Sequence, residues 1–536
     1  MDSSLCTPGT SHDRSKSPVT KKIRLSDHDI SAMFEEPLSS DEQFSYDSDT
    51  DLGEGDSADD DSDYCVNEKV LQNETEIEND SFIRENLTNS QTHNNIWLDH
   101  SPDLDLIVFD ENTGLKIKPN GDKPIDFFDL LLTDDFYDFV LEETNNYAAE
   151  LFLTRSSNKS RISKWIELTK NELKTFFGLV FHTGTIKMPR MSDYWKTDKL
   201  FNLNCFRDFM SRNRYMLITR ALHFSRNPDP DDPKPSRLYK IDPVLEYFNN
   251  RMLEVYKPSK QLSLDESMVL WRGRLVFRQY IKNKRHKYGI KLYMLTEPNG
   301  LVLNILIYSG QGTDSTPEKT HTEYVVYKLM ENYLDKGHSL FMDNYYNSSN
   351  LAHSLLQRKT YCTGTLRNNR KNNPKEIISK KLKTGESVCK YTKYGVCIVK
   401  WKDKREVLAI SSEFKNEMIE VHNKYGKSKL KPLPISEYNK FMSGIDRQDQ
   451  MLSYYPCERK TLRWYKKIGF HFLQITLLNS YLLYCKNVKK ISYYDTQYNH
   501  HIHDYHKNIF LSKWTKIIKD GIFVKDVEFA PQREKE

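Results

Sequence analysis

The 536-residue sequence predicts a mixed α/β protein in which helical segments flank a sheet and an acidic tail comes first. Apolar residues recur at helical spacing between residues 115 and 258, whereas short aliphatic strands begin at Gln261. The charge is divided in a similar way. Residues 1–100 carry 24 acidic and 7 basic side chains, a balance of −17, while residues 101–536 carry 51 and 72, a balance of +21. The formal net charge of +4 therefore conceals a basic body suited to a polyanionic partner.

The N-terminal tail, residues 1–110, is predicted to be disordered. Eleven acids and no base lie within residues 41–63, and such a stretch cannot bury enough apolar surface to offset its ordering entropy. Ser39, Ser48 and Ser57 each precede an acid by three residues, a pattern that acidophilic kinases favour. The tail is thus either a solvated spacer or a phosphorylated regulatory segment.

Targeting features favour a nuclear protein without membrane contact. No apolar leader follows Met1, and the eight cysteines are scattered without a CxxC pair, as in reduced cytosolic or nuclear proteins. The bases of VTKKIRL form a weak nuclear import signal. The longest charge-free apolar stretch, Ile468–Cys485, contains polar residues that are expensive in lipid, so a buried helix is predicted there.

Helices are predicted before strands along the chain. DFFDLLLTDDFYDFVLEETNNYAAELF and KNELKTFFGLVFHTGTI follow the helical period, and Thr169 with Glu172 three residues later predicts a capped helix start. Prolines and aspartates predict a loop at 227–234. From residue 261 we predict three strands, a helix, a strand, a helix and a strand. A lysine-rich segment with short strands then looks inserted, before helical spacing returns.

Acidic residues occupy positions that a metal site on a sheet would require. Asp265 lies on the first strand, facing away from the neighbouring leucines, and Asp343 ends the strand SLFMD. Ligands commonly bind at the carboxyl ends of strands in open sheets. Asp446 and Asp449 are three residues apart in SGIDRQDQ, which places both on one face of a helix. Each alone is typical of an N-cap or a solvated side chain, and only their combination indicates a site.

The chemistry of such a carboxylate set favours hard divalent cations. Neighbouring carboxylates in a protein interior repel one another unless a cation offsets their charge. Oxygen ligands suit Mg²⁺ or Mn²⁺ better than zinc. Two such ions about 3.5–4 Å apart can activate a nucleophilic oxygen and stabilise the leaving oxygen of a phosphodiester. No general-base histidine is then required.

A family resemblance is carried by three blocks: LSLDESMVLWRGRLVFRQYIKNKRHKYGIKLY, FMDNYYNS, and YNKFMSGIDRQDQMLSYY followed by RKTLRWYKK. In this order, over roughly residues 120–490, they resemble the conserved blocks of piggyBac-family transposases. The resemblance implies an RNase H-like catalytic domain with a DDD triad of Asp265, Asp343 and Asp446, which would be catalytic and bind metal. Asp449 is implied as a further metal-binding aspartate. The implied activity is DNA strand cleavage and transfer at TTAA sites with two Mg²⁺ or Mn²⁺ ions.

The resemblance also implies how the chain is divided. The expected parts are a disordered acidic tail (1–110), a helical dimerisation and DNA-binding part (111–260), the first part of the RNase H-like domain (261–368), an inserted β-rich domain (369–438), the third-aspartate helix of the catalytic domain (439–458) and a C-terminal helical part (459–536). Family members end in a cysteine- and histidine-rich zinc domain, whereas no cysteine follows Cys485 here. Zinc on NHHIHDYH is possible, but its spacing departs from that domain, so no zinc is expected.

Three basic clusters are candidate contacts with double-stranded DNA. They are Lys282, Lys284, Arg285 and Lys287 after the first strand; Arg367, Arg370 and Lys371 at the start of the insertion; and Arg459, Lys460, Arg463, Trp464, Lys466 and Lys467 after the third aspartate block. In the last cluster, bases alternate with aromatics, which suits phosphate contacts and stacking on an unpaired base. For the cluster at the start of the insertion, the alternative to DNA contact is a run of charged residues exposed to solvent.

Two functions remain open on the sequence alone. One is a homodimeric, DDD transposase-type enzyme. The other is a transposon-derived DNA-binding or chromatin protein that keeps the fold but does not transpose. A protein-interaction scaffold acting through the acidic tail has compositional support alone.

Overall fold

The computed structural model describes residues 96–493, except residues 104, 155–159, 230–232, 234, 282–283, 285–286, 311–319, 423–425 and 427. The acidic tail up to residue 95 and the histidine-rich stretch predicted at residues 499–506 lie outside the described residues.

Helices concentrate before the first long strand and near the C-terminal end of the described chain. They are α1 (Pro124–Leu131), α2 (Asp134–Thr154), α3 (Lys170–Thr185), α4 (Asn204–Arg207), α5 (Arg212–Ala221), α6 (Asp242–Val255), α7 (His321–Met330), α8 (Ser349–Gln357), α9 (Lys375–Ser379), α10 (Leu433–Phe441), α11 (Gly444–Leu452) and α12 (Trp464–Asn487). The predicted start of α3 is confirmed, because Thr169 is its N-cap and the Thr169 hydroxyl accepts a hydrogen bond from the Glu172 N–H at 3.3 Å.

One large mixed sheet lies beside these helices. The strands of the described residues are β1 (Trp97–Leu98), β2 (Gly114–Leu115), β3 (Tyr256–Lys257), β4 (Gln261–Leu270), β5 (Gln279–Tyr280), β6 (Tyr288–Thr296), β7 (Val302–Ile307), β8 (Ser339–Met342), β9 (Tyr361–Thr365), β10 (Ser387–Thr392), β11 (Cys397–Lys402), β12 (Glu406–Ser411), β13 (Met418–His422) and β14 (Ser428–Pro432). The main sheet has the order β1-β10-β11-β12-β9-β8-β4-β6-β5, and β7 also pairs with β6.

The centre of the sheet combines antiparallel and parallel pairing. β4 and β7 are each antiparallel to β6, which lies between them. β8 and β9 are parallel to β4 and are reached through α7 and α8. The predicted order of three strands, helix, strand, helix and strand is thus present in one sheet.

The segment interpreted as an insertion does not form a separate sheet. β10, β11 and β12 extend the main sheet, since Ala409–Ser411 pair with Thr365–Thr363 of β9. Only β13 and β14 form a hairpin of their own within the described residues. An unpaired β9 would expose a row of backbone donors and acceptors, which the β12 pairing satisfies. Local sequence patterns do not reveal such non-local pairing.

Two asparagines cover the outer edge of β7. The Asn479 side chain on α12 accepts from the Val302 N–H at 3.0 Å and donates to the Val302 carbonyl at 2.8 Å. The Asn249 side chain on α6 does the same for Ile305, at 2.9 Å in both directions. Each side-chain amide makes the two hydrogen bonds that a residue of a neighbouring strand would make. The helices thus pair with backbone groups of β7 that would otherwise lack partners.

Helix α12 lies in the core and joins the helical part to the sheet. Its residues are buried along most of its length, as predicted for Ile468–Cys485. Tyr484 packs edge-on against Phe127 of α1 at 5.5 Å, and Phe472 lies parallel to Phe248 of α6 at 6.1 Å between ring centroids. In the part of the chain that the structure describes, no helix is long and apolar enough to cross a membrane.

Residues 96–103 and 105–116 form a strap that crosses from the far edge of the sheet to the helices. Trp97 and Leu98 pair with Thr392 and Tyr391 of β10. Further along, the strap backbone lies against Gly337, where a Cβ would collide with the Val108 carbonyl. The strap ends where β2 pairs with β3 beside α6.

Candidate active site

Parallel pairing brings Asp265 and Asp343 to the same place in the sheet. Leu264 of β4 is the register partner of Met342 of β8, and each aspartate is the next residue along its strand. Neighbouring strands are about 4.8 Å apart. The two carboxylates therefore extend from adjacent strands at equivalent positions.

The Asp265 carboxylate is held in a buried and negatively charged environment. Its Oδ1 accepts from the Glu266 N–H at 2.8 Å. Burial, and then the charge of Glu266, raises the pKa of Asp265 to about 8, with the Asp343 carboxylate acting in the same direction and Lys284 opposing it. A carboxyl with this pKa needs added positive charge to be fully ionised near neutral pH.

Asp343 lies at the start of a tightly fixed turn. Its Oδ1 accepts from the Tyr345 N–H at 2.8 Å, and the Asn347 amide donates to the carbonyls of Met342 at 2.8 Å and Thr365 at 3.0 Å. Gly364 makes this possible, because a Cβ there would collide with the Met342 carbonyl. Burial raises the pKa of Asp343, while the Tyr345 N–H lowers it.

Helix α11 presents the remaining two aspartates to the same face of β4. A Cβ at Gly444, its first residue, would collide with Thr296 and lie 2.6 Å from the Glu297 carbonyl, so the helix starts directly on the sheet. Asp449 accepts from the Ser267 hydroxyl of β4 at 2.6 Å, and burial raises its pKa. Asp446, one turn earlier, is exposed.

Two further side chains connect the four aspartates. The Tyr438 phenol of α10 lies near Asp343, Asp265 and Asp446, and burial together with their charges raises its pKa to about 12. The Lys284 ammonium lies near Asp265, Asp449 and Asp446, whose charges raise its pKa against the opposing effect of burial. The four predicted aspartates therefore all lie within electrostatic range of Tyr438 or Lys284, beside the middle of β4 and the end of β8.

Sequence reasoning missed Glu266, which contributes a further carboxylate. Glu266 lies 3.8 Å from the Lys284 ammonium, and the Tyr346 hydroxyl donates to it at 3.2 Å. Burial raises the pKa of Glu266, but Lys291 and Lys284 outweigh it and lower the pKa below its usual value. Strand alternation assigns Glu266 to the opposite face from Asp265, so the pattern gave no reason to include it.

The first basic cluster lies partly within this site. Lys284 donates to the Glu266 carbonyl at 2.8 Å, so it belongs to the carboxylate cluster. Lys287 is exposed. Lys282 and Arg285 lie outside the described residues.

The second cluster lies beside the turn that follows Asp343. The Arg367 guanidinium donates to the Asn344 side chain at 3.2 Å and lies 5.6 Å from the centre of the Tyr345 ring. Arg370 donates to the backbone carbonyls of Asn344 and Tyr345. Arg367 remains exposed, as does Lys371.

The third cluster is directed largely into the protein. Lys466 is 5% exposed and donates to the carbonyls of Thr219 and Arg220 at the end of α5, at 3.1 and 2.6 Å. Arg459 donates to Met188 and Tyr194 of the helical part.

The other members of this cluster are divided between the interior and the surface. Trp464 packs edge-on against Phe277 at 5.2 Å. Lys467 lies 3.7 Å from Glu458, with its side chain 11% exposed. Lys460 is exposed and Arg463 is half-buried. These last two are the members with side chains at the surface.

The donor set fits a hard divalent cation better than a soft one. Asp265, Asp343 and Asp449 supply buried carboxylate oxygens whose pKa values are raised by burial, so a cation would stabilise their ionised forms. Within the described residues, no three acidic, histidine or cysteine side chains are already gathered as closely as metal ligands are. The chemical type of the carboxylate oxygens therefore supports a hard divalent cation here, whereas the distances between them do not yet form a complete coordination shell.

A family model described as Transposase IS4 matches residues 123–481, which include the whole carboxylate cluster. A solved piggyBac transposase, in a synaptic complex with hairpin DNA, matches with a TM-score of 0.65 and 26% identity over 79% of this chain and 90% of that one. The chain belongs to the piggyBac family of transposases. The mixed sheet with its flanking helices is the fold of this family.

Human relatives include proteins named as derivatives of the piggyBac element. PiggyBac transposable element-derived protein 3 is 24% identical over 383 residues, and protein 2 is 25% identical over 379 residues. Each alignment covers 67% of this chain and 61% of the relative. PiggyBac transposable element-derived protein 5 is 21% identical over 70% of this chain and 73% of its own length. The chain thus spans about three fifths of the first of these relatives.

Proposed function

We propose that this piggyBac-family protein cleaves and transfers DNA strands in a divalent-metal-dependent reaction, with Asp265, Asp343 and Asp446 as its triad. The observation that supports the proposal is that Asp265 and Asp343 follow register partners on the parallel strands β4 and β8, while Asp446 and Asp449 act on the same Lys284 ammonium as Asp265. The strand order β7-β6-β4-β8-β9, with helices before β8 and after it, supports an RNase H-like catalytic domain.

The residues of the chain have separate tasks in this proposal. Asp265, Asp343, Asp446 and Asp449 would hold two Mg²⁺ or Mn²⁺ ions, which when bound supply charge compensation for phosphodiester cleavage. Ser267 fixes the orientation of Asp449. Lys284 balances part of the negative charge of the cluster.

Exposed bases on both sides of the cluster are proposed to contact double-stranded DNA. Lys287, Arg367, Lys371 and Lys460 are exposed and can bind phosphates. Lys466 is left out of this set because its ammonium is already bound to the end of α5. In keeping with the family, we further propose that the protein is a nuclear homodimer that acts at TTAA sites. We also propose that its domains have the boundaries expected from the sequence.

Strand cleavage by the full chain tests the proposal. A labelled DNA duplex with a TTAA-flanked end is incubated with Mg²⁺ or Mn²⁺, and the nicked and hairpin products are measured. We expect Asp265→Asn, Asp343→Asn and Asp446→Asn each to reduce cleavage by at least about a thousandfold. Asp335→Asn is the matched control, because Asp335 is an exposed aspartate paired with Arg358. Equal activity of Asp265→Asn and the parent protein would overturn the proposal.

A DNA-binding protein without strand transfer is the second candidate. The names of the human relatives, which describe element-derived proteins, favour it. It predicts salt-dependent DNA affinity and no cleavage products with either metal ion. The same assay therefore distinguishes the two functions.

A further inference from the structure

Two exposed tyrosines form a pair at the end of the sheet opposite to the carboxylates. Tyr280 of β5 and Tyr288 of β6 are register partners, with ring centroids 4.7 Å apart. They are 43% and 48% exposed, which is high for aromatic side chains. The Arg278 guanidinium lies 5.7 Å from the Tyr288 ring centre and is fixed by bonds to the carbonyls of Arg272 and Gly273 at 3.0 and 3.2 Å.

The segment that carries this pair is strongly basic. Between Glu266 and Glu297 the sequence has eight Lys and Arg residues and no acid. Of the residues nearest the tyrosines, Arg272, Arg274 and Lys287 are exposed. Bases that track a backbone and aromatic rings that accept base faces are the two components of single-strand binding surfaces.

The tyrosine pair is connected to the carboxylates along a single strand. Gly289, next to Tyr288, pairs with Leu270, five residues along β4 from Asp265. Five residues of strand span about 17 Å, a distance that a few nucleotides of an unpaired strand can bridge. In the segment between β5 and β6, Lys284 reaches back to the Glu266 carbonyl at 2.8 Å. The described bases Lys284 and Lys287 thus lie in the segment that joins the carboxylate cluster to the two rings.

We propose that Tyr280 and Tyr288, flanked by Arg278, form a stacking platform for unpaired bases of the DNA strand, about 17 Å along β4 from Asp265. The inference rests on the proposed function of the carboxylate site and names the part of the substrate that lies beyond it. A cross-strand aromatic pair also stabilises a hairpin. That contribution does not depend on DNA, so it can be measured separately by thermal unfolding.

Binding of fluorescein-labelled DNA to the full chain tests the platform. Anisotropy is measured in EDTA, so that cleavage does not interfere, with a blunt duplex and with the same duplex carrying a seven-nucleotide unpaired strand. Tyr280→Ala/Tyr288→Ala is compared with Tyr280→Phe/Tyr288→Phe. Tyr394→Ala is the matched control, because Tyr394 is 37% exposed and lies in the turn between β10 and β11.

The double alanine variant is expected to bind the partly unpaired DNA at least about tenfold more weakly, since stacking contributes about 1–3 kcal/mol per base. Its affinity for the blunt duplex should change by less than about twofold. The phenylalanine variant and Tyr394→Ala should bind both DNAs like the parent. Stacking should also quench 2-aminopurine in the parent complex at one position when the probe is moved along the unpaired strand.

Three results would overturn the platform. They are unchanged binding of the partly unpaired DNA by the alanine variant, equal losses for both DNAs, and a phenylalanine variant as weak as the alanine variant. If the binding tests contradict the platform while cleavage still depends on Asp265, this inference alone is refuted. If the binding tests support the platform but the protein does not cleave DNA, the catalytic proposal alone is refuted.

Discussion

Burial determines what individual charged and titratable side chains do in this protein. Lys466 belongs to a basic run that the sequence suggests for DNA, yet its ammonium binds the carbonyls at the C-terminal end of α5, where a positive charge is favourable. His223 is 2% exposed and lies between Tyr147, at 4.0 Å, and Tyr465, at 5.1 Å between ring centroids. Composition cannot separate such residues from solvated ones, because the distinction depends on tertiary packing.

His223 provides a prediction about pH. Burial, and then the charges of Lys466 and Lys240, lowers the pKa of His223 from 6.5 to about 3. The unfolded chain therefore takes up this proton first, and the folded state loses stability as the pH falls from about 6.5 towards 3. Between pH 7 and pH 5 the loss from this group should be about 2 kcal/mol.

His223→Phe should remove that loss and flatten the dependence of the free energy of unfolding on pH. Urea unfolding at several pH values measures it, with the exposed His422→Phe as the control. At pH 7 the variant should be less stable by about 1 kcal/mol, because the hydrogen bond between His223 and the Tyr465 hydroxyl is lost. An unchanged slope between pH 7 and pH 5 would contradict the assignment of a buried neutral imidazole.

Among the elements, α11 depends on one glycine for its position. Gly444→Ala should push the start of α11 away from β6, because its Cβ has no space beside Thr296 and Glu297. We expect cleavage to fall by at least about tenfold, since a displacement of about 1 Å can cost a hundredfold in rate. Gly178→Ala in α3 is the control, because nothing lies within 4 Å of its new Cβ and alanine favours a helix. Parent-like cleavage by Gly444→Ala would show that α11 tolerates the shift.

The asparagine contacts on β7 provide a second prediction at this scale. Asn479→Leu keeps the branched shape of the side chain but leaves the Val302 N–H and carbonyl without these partners. The free energy of unfolding should fall by about 2–4 kcal/mol. Asn487→Leu on the same helix should change it by less than about 0.5 kcal/mol, because Asn487 is exposed and donates to its own helix. Chemical denaturation measures both, and similar losses would refute the edge role of Asn479.

The sequence predicts some of these elements well and others poorly, for physical reasons. β4 is found because its aliphatic residues alternate with polar ones around Asp265, and β8 because a continuous apolar run ends at Asp343. Helix α3 is found because Thr169 caps it. The pairing of β12 with β9 is not found, because strand pairing depends on contacts between residues far apart in sequence. For the same reason, the four aspartates could be chosen, but Glu266 could not.

At the scale of the whole molecule, the division of charge should govern DNA affinity. Residues 1–95 carry 23 acids and 7 bases, so a chain without them would have a net charge of about +20 instead of +4. We expect that shorter chain to bind non-specific duplex DNA at least about threefold more tightly at 50 mM salt. The difference should disappear near 500 mM salt. Equal affinity at low salt, measured by anisotropy, would exclude an electrostatic effect of the tail.

The pairing of β1 with β10 can form only long after β1 has been synthesised. Trp97 leaves the ribosome 295 residues before its partner Thr392, a delay of about 15–60 s at 5–20 residues per second. The edge of β7 likewise waits for Asn479, and β4 waits for α11. During this interval an unfinished chain exposes unpaired strands and needs protection from aggregation by chaperones. It also holds Asp265 and Asp343 without Asp446, so the carboxylate cluster is incomplete until α11 has been synthesised.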